Sequence, residues 1–339
     1  VPASTTTPTT RQEMLWGDIE GLAQAYGDPY TVFFPPVQSA TFEEDINGSF
    51  GGVGIEVGLR DGVLTVIAPL KGTPGERAGI KSGDRIIEID SKLTDSMSID
   101  EAVQVIRGEV GTVVVLTIAR EGERELKTFR ITRENISIPT INTELRSDGV
   151  FVISLYNFSA PASNLFRAAL REFINTPSNK LVIDVRNNPG GFLEAAIDMA
   201  SWFLPPGKVV VTEDFGEKEE ARVHRSKGYN VFTDQLKLVI LINGGSASAS
   251  EILAGALQEH GVAKLVGERT FGKGSVQELV KITPDTSLKV TIARWLTPNG
   301  TSISDGGLVP DVEVSFTEED VQNGVDPQLE RAVELLLEK

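Results

Sequence analysis

The chain of 339 residues contains no cysteine, which excludes disulfides and a thiol nucleophile. Histidine is almost as scarce. With only His224 and His260 present, a zinc site would have to be built largely from carboxylates, and no metal or cofactor is expected. No apolar run reaches the roughly 18 residues of a membrane-spanning helix. The opening Val1-Pro2-Ala3-Ser4-Thr5-Thr6-Thr7-Pro8 has neither the basic start nor the apolar stretch of a signal peptide, so any export signal or anchor is expected upstream. Basic residues are in the minority, 32 Lys and Arg against 48 Asp and Glu, a formal net charge of −16. That field repels polyanions and excludes a nucleic-acid surface, leaving proteins and peptides as the expected partners. The lack of cysteine is compatible with a bacterial extracytoplasmic setting, where a free thiol is a liability, and equally with cytoplasm.

The chain is long enough for two or three separate cores. Residues 1–10, rich in Thr and Pro, read as a disordered tether. From 11 to 46, apolar Met14, Leu15, Ile19, Leu22 and Ala25 recur at near-helical spacing and Gly27-Asp28-Pro29-Tyr30 stops them, which predicts a helical arm. From 47 to 136, alternating runs such as Val113 to Ile118 stand between Gly/Asp turns, with one helical stretch at Ile99 to Ile106, the pattern of a small β-rich domain. From 137 to 339, strand and helix alternate: Phe151–Leu155 then Asn164–Phe173, Leu181–Val185 then Leu193–Phe203, and Leu238–Ile242 then Ser250–Glu259. Three successive β–α pairs predict a mostly parallel sheet covered by helices, with a charged segment near 209–234 projecting from it. The arm and the closing helix near Leu329 are the elements through which a homo-oligomer would form.

Asn243-Gly244-Gly245-Ser246-Ala247-Ser248-Ala249-Ser250-Glu251 lies where a buried strand gives way to a helix, a place where N–H groups and the helix dipole support an anion. That suits a nucleophilic serine and its oxyanion; a small-residue turn with Ser as helix cap is the alternative. The Gly-x-Ser-x-Gly elbow of α/β-hydrolases is not present here. His260 follows three turns further along the same helix, roughly 18 Å from Ser248, too far to act as base. His224, in the charged segment, reads as a surface residue. A serine nucleophile here calls for lysine.

Gly267-Glu268-Arg269-Thr270-Phe271-Gly272-Lys273-Gly274-Ser275-Val276-Gln277 supplies one on a Gly-flanked turn. Lysine acts as a base only when neutral, so its pKa of about 10.4 must fall toward about 7–8. Gln277, on the same face of an extended strand, is placed to orient the amine. Gly267 to Lys273 also satisfies Gly-x-x-x-x-Gly-Lys, the start of a phosphate-binding loop. Gly274 then occupies the place of the Mg²⁺-binding Ser or Thr, and β-like sequence follows where a helix should.

Taken with Asp184-Val185-Arg186-Asn187-Asn188-Pro189-Gly190-Gly191, these two stretches closely resemble the carboxyl-terminal processing (tail-specific) serine protease family, three motifs in the family's order. The likeness extends over nearly all of the chain after the Thr-rich opening. It implies a multidomain α/β fold: a mostly parallel, crotonase/Clp-protease-like protease core, an inserted β-rich PDZ domain and an N-terminal helical arm. It implies that Ser248 is the nucleophile, a choice among three serines that the residues alone leave open, with Lys273 as general base and Gln277 beside it. It implies an oxyanion hole from Ala249 and the turn at Gly190 and Gly191. Phe50-Gly51-Gly52-Val53-Gly54-Ile55, with Gly72-Thr73-Pro74 to Gly83-Asp84, resembles a PDZ domain. There Gly51, Gly52, Val53, Gly54 and Ile55 would bind a peptide's terminal carboxylate and pair with its backbone. The implied activity is endopeptidase cleavage of proteins with flexible apolar C-terminal tails, in the periplasm or cell envelope. The competing reading is a PDZ-containing binding protein that no longer cleaves.

Overall fold

The computed structural model describes residues 10–339 apart from 61, 96, 138, 218, 233, 234, 305, 318, 319, 321, 322 and 339, and leaves out the side chains of 45–47 and 100. The expected tether therefore lies, except for Thr10, outside the described residues. The chain divides into two compact units, Val1–Phe42 with Pro139–Lys339, and Glu43–Ile138.

The first unit begins with α1 (Arg11–Ala25), whose start is fixed by reciprocal bonds between Thr10 and Glu13. Gly27, at φ 81°, ends it, and β1 (Val32–Phe34) and α2 (Pro36–Asn47) follow. The arm expected over 11–46 is therefore only partly an arm, because β1 is built into a sheet described below.

In the second unit, β2 (Ser49–Gly52) pairs with β9 (Glu134–Ser137). An antiparallel sheet contains β3 (Ile55–Arg60), β4 (Val63–Pro69), β5 (Arg85–Ile89), β6 (Lys92–Leu93), β7 (Val113–Ala119) and β8 (Lys127–Thr132). Two helices, α3 (Pro74–Ala78) and α4 (Ile99–Ile106), complete it. The alternation read from the sequence is realised in β7, where Val114, Leu116 and Ile118 are buried and meet Ile86, Ile89, Ala102 and Ile106. Asp84, buried in the turn before β5, takes Arg120 through two 2.7 Å bonds and the Lys81 N–H at 2.8 Å, which closes that turn.

The rest of the first unit is a six-stranded sheet in the order β10 (Ile141–Leu145), β11 (Phe151–Leu155), β12 (Lys180–Asp184), β15 (Lys237–Ile242), β16 (Lys264–Gly267) and β19 (Val312–Glu313). Only the β10 edge is antiparallel. Continuous apolar runs are required because both faces are covered. Phe151, Ile153 and Leu155 enter one core with α5 (Ala162–Ile174), α6 (Leu193–Ala200) and α7 (Ala249–Glu259), while Val150, Val152, Val182 and Val239 meet α8 (Pro327–Leu337) on the other face. Each large side chain fully buried there contributes about 1.5–3 kcal/mol.

A second sheet gathers β1, β13 (Val209–Asp214), β14 (Arg222–Arg225), β17 (Ser275–Lys281) and β18 (Ser287–Leu296). The segment expected to project over 209–234 is instead integrated. β13 pairs with β18 through Thr212 and Leu296, and Phe232 stacks on Phe203 at 5.4 Å. A charged run in sequence hid a strand whose partner lies far along the chain. Residues 218, 233 and 234 of that segment are outside the described set.

Candidate active site and peptide groove

Three loops leave the carboxyl ends of neighbouring parallel strands, the place where open α/β sheets hold ligands. Residues 185–191 follow β12, 243–248 follow β15, and 268–274 follow β16. Asn187 and Asn243 stitch the first two together: Asn187 N–H donates to Asn243 Oδ1 at 2.8 Å, and Asn243 Nδ2 donates to Asn187 Oδ1 at 2.9 Å.

The structure separates the three serines. Ser246 is wholly buried, with its hydroxyl donating to Val185 O at 2.8 Å and accepting from Asn243 N–H at 3.0 Å. Ser250 is equally buried, with its hydroxyl on Asn188 O at 2.9 Å. Ser248 stands at the start of α7 with φ 55° and ψ −115°, a strained conformation for a non-glycine residue that costs about 1–3 kcal/mol. Among the described residues, its hydroxyl donates no hydrogen bond.

Gly190, at φ 100°, lies directly against this turn. A Cβ there would stand 2.7 Å from Ala247 O and 2.8 Å from Ser248 Cβ; one on Gly191, at φ 144°, would stand 2.4 Å from Phe158 O. Glycine is required at both for steric reasons. Of the three N–H groups expected to face an oxyanion, that of Gly190 is turned inward to Asn188 Oδ1 at 2.9 Å. Those of Gly191 and Ala249 have no hydrogen-bond partner among the described residues, and Ala249 opens α7, where the dipole favours negative charge.

Lys273 is half-buried, and its ammonium sits 5.7 Å from the Tyr30 ring centroid. Burial pushes its pKa below the ordinary lysine value, against an opposing pull from Glu251. Lys289 is a second half-buried amine with its pKa lowered, first by burial and then by the charge of Lys273. Ser248 and Lys273 make no direct hydrogen bond in this structure. They are joined through Glu251, a wholly buried carboxylate that accepts the Ser248 N–H at 2.9 Å, the Lys273 N–H at 3.0 Å, the Gly272 N–H at 2.8 Å and the Thr270 hydroxyl at 2.6 Å. Sequence reading passed over Glu251 and Thr270. The available signal was an acidic residue three positions into a helix that starts at Ser248, the spacing of a capping interaction.

Gln277 does not reach Lys273 here. Its Nε2 donates to Ser275 Oγ at 2.6 Å and to Ser275 O at 3.1 Å. β17 begins only at Ser275, and the Gly274 N–H turns back to Gly272 O at 3.0 Å, so Lys273 stands on a turn and not on the extended strand that the expected shared face required. His260 caps the far end of α7 and bonds Val209 O at 2.7 Å, and His224 pairs with Glu213 at 3.2 Å. Neither histidine approaches the serine. Glu259 Oε2 accepts the Asn299 N–H at 2.7 Å.

In the second unit a groove of about 230 Å³ runs between β3 and α4, lined by Val53, Gly54, Ile55, Val57, Val103 and Ile106 among others. Gly51 and Gly52 are paired in β2, and Gly51 O takes the Gly108 N–H at 3.0 Å. Val53 O and Gly54 O are held by Gly75 and Leu70. The Val53 and Gly54 N–H groups have no partner among the described residues, leaving two adjacent donors at the end of an apolar trough.

Residues 149–314 match Peptidase family S41, and residues 65–120 match the PDZ domain. The chain is 34% identical over 310 residues to carboxy-terminal processing protease CtpA of Bacillus subtilis, covering 91% of this chain and 65% of that protein. It is 34% identical over 322 residues to the carboxy-terminal-processing protease of Bartonella bacilliformis, covering 94% of this chain and 73% of that protein. It thus spans about two thirds of the length of the Bacillus relative. Among solved structures, the photosystem II D1 C-terminal processing protease superposes over 99% of this chain and 89% of its own, with a TM-score of 0.61 and 26% identity. No described helix is long and apolar enough to cross a membrane. With its PDZ domain and an α/β core in which the glycine turn, the serine turn and the lysine loop meet, the chain belongs to the carboxy-terminal processing protease family.

Proposed function

We propose that the chain is a serine endopeptidase in which Ser248 is the nucleophile and Lys273 the general base, and that the groove of the second unit captures the C-terminal tail of a protein substrate. The supporting observation is the fate of the three serine hydroxyls. Those of Ser246 and Ser250 are buried and donate to carbonyl groups, while that of Ser248, at a strained helix start, donates to no described residue.

Neutral Lys273 takes the Ser248 hydroxyl proton as Oγ bonds to the substrate carbonyl carbon. The C–N bond then breaks, and the amine leaves with a proton returned from Lys273. Water, deprotonated by the same amine, hydrolyses the acyl-enzyme. The lysine's burial supplies the lowered proton affinity this requires. The Ala249 and Gly191 N–H groups are the proposed oxyanion donors. Gly190 would join them only by giving up Asn188 Oδ1, and Gln277 would support the amine only by giving up Ser275. The absence of a direct Ser248–Lys273 bond accords with sites whose contacts tighten on substrate binding.

The Val53 and Gly54 N–H groups would receive the tail carboxylate, and β3 and the apolar trough would receive its backbone and side chains. Flexible, apolar C-terminal tails are the proposed substrates, met in the periplasm or cell envelope. A homo-oligomer and an upstream membrane anchor complete the proposed setting. The test is cleavage of an unstructured protein with such a tail by the unaltered chain and by folded S248A and K273A. Cleavage lost in both variants supports the dyad; cleavage by S248A assigns the nucleophile elsewhere. A chain that binds tails but does not cleave would be a binding protein.

A further inference from the structure

We propose that Glu251 is a positioning residue that fixes the serine turn and the lysine loop as one unit, a role that rests on reading Ser248 and Lys273 as nucleophile and base. Its two oxygens divide the work. Oε2 accepts the main-chain N–H of Ser248 at 2.9 Å and that of Lys273 at 3.0 Å; Oε1 accepts the Gly272 N–H at 2.8 Å and the Thr270 hydroxyl at 2.6 Å. Thr270 Oγ1 itself accepts the Leu308 N–H at 2.7 Å, which leaves its own proton for the carboxylate.

No Arg or Lys side chain bonds to Glu251 among the described residues. A wholly buried carboxylate held only by neutral dipoles is costly to desolvate. Burial accordingly pushes its pKa up, against the four hydrogen bonds. All four bonding directions are nevertheless met by donors, three of them main-chain N–H groups that can only donate, so the ionised form satisfies every bond and a carboxyl proton would have Thr270 Oγ1 as its one acceptor. Glutamine could not replace it. Its amide nitrogen would face two main-chain N–H groups at the Oε2 position, or the Gly272 N–H at the Oε1 position, so at least one of the four bonds would become a repulsive contact. The fixed negative charge also acts on the Lys273 amine and moderates the effect of its burial. Glu251 thereby sets both the relative placement of the two chemical groups and the proton affinity of one of them.

The experiment compares E251Q, T270V and T270S in three ways. The first is cleavage of a tailed protein across pH. The second is amide hydrogen exchange at 248, 272 and 273. The third, in a S248A background, is NMR titration of Lys273 labelled at Cε. For E251Q the expected result is a fall in kcat of about 100-fold with KM changed by less than about threefold. Protection at 248 and 273 is lost together, and Lys273 titrates at lower pH. T270V should lower kcat about tenfold, and T270S should recover most of that loss. Unchanged kcat, or unchanged amide protection and Lys273 titration in E251Q, overturns the inference. If E251Q does not fold, T270V with full kcat overturns it. If the unaltered chain cleaves nothing, the proposed function falls, and exchange and titration still decide the role of Glu251.

Discussion

The main-chain carbonyl of Asn188 accepts the Ser250 hydroxyl at 2.9 Å, so the glycine turn after β12 is pinned to the first turn of α7. The same carbonyl takes the Ala247 N–H at 3.0 Å, and removal of the hydroxyl leaves it satisfied. Ser250→Ala is expected to cost about 1 kcal/mol in urea unfolding and to lower kcat/KM by less than about tenfold. A loss as deep as that of Ser248→Ala would overturn the assignment of the nucleophile.

Gly190 and Gly191 test the close approach of two main chains. Alanine at either position must displace backbone atoms less than 3 Å from its Cβ and hold a positive φ. Each change should cost about 1–3 kcal/mol or more and abolish cleavage, read by thermal unfolding and by assay of the folded fraction. A fully active Gly190→Ala would show that the turn has room that these distances deny it.

Lys273 gives a sign to the pH dependence. Its pKa in the folded chain is depressed by burial, and in the proposed mechanism the neutral amine is the active form. Cleavage should therefore rise with pH through that depressed value and level off before the lysine's ordinary pKa, reported by kcat against pH. A rate independent of pH across this window would exclude lysine as base.

The same shift predicts a stability effect. Below its folded pKa the buried amine carries a charge that the unfolded chain hydrates freely, and between the two pKa values the unfolded chain binds more protons. Stability contributed by this group rises with pH up to the unfolded value. Lys273→Met should thus raise Tm most at low pH, with the advantage shrinking as pH climbs toward the ordinary lysine pKa. A constant difference in Tm would mean that the amine is hydrated in the folded state.

For the groove, an apolar peptide with a free C-terminus should bind the Ser248→Ala chain at least about tenfold more tightly than its amidated form. Val103→Asp, which puts a carboxylate into the lining, should weaken both. Fluorescence anisotropy reads each comparison, and equal binding of free and amidated peptides would remove the carboxylate role from Val53 and Gly54.

Much of the core was legible because its physical cause is local. Leu181-Val182-Ile183 and Leu238 to Ile242 are apolar on both faces, which only a covered parallel strand requires, and the helices after them keep their period. The serine turn and lysine loop were legible as chemistry on strand ends. What escaped depends on distant partners. β13 is a strand because β18 pairs with it, and Lys273 stands on a turn before β17 begins, so the extended spacing from Lys273 to Gln277 does not hold. Glu251 looked like an ordinary helix-start acid, and only the return of the chain at 270–273 shows what it holds.

The pairing of Val32 with Lys289 has a consequence for the time of activation. A chain is made from its N-terminus, and β1 leaves the ribosome long before β18 exists. The second sheet, on which Trp295 N–H holds Gly274 O beside Lys273 at 2.7 Å, can close only after β18 has been made. Non-local pairing of this kind is slow to form. A nascent or truncated chain that stops before β18 therefore lacks a formed lysine loop, and the proposed hydrolytic centre is assembled only once residues about 260 positions apart can pair.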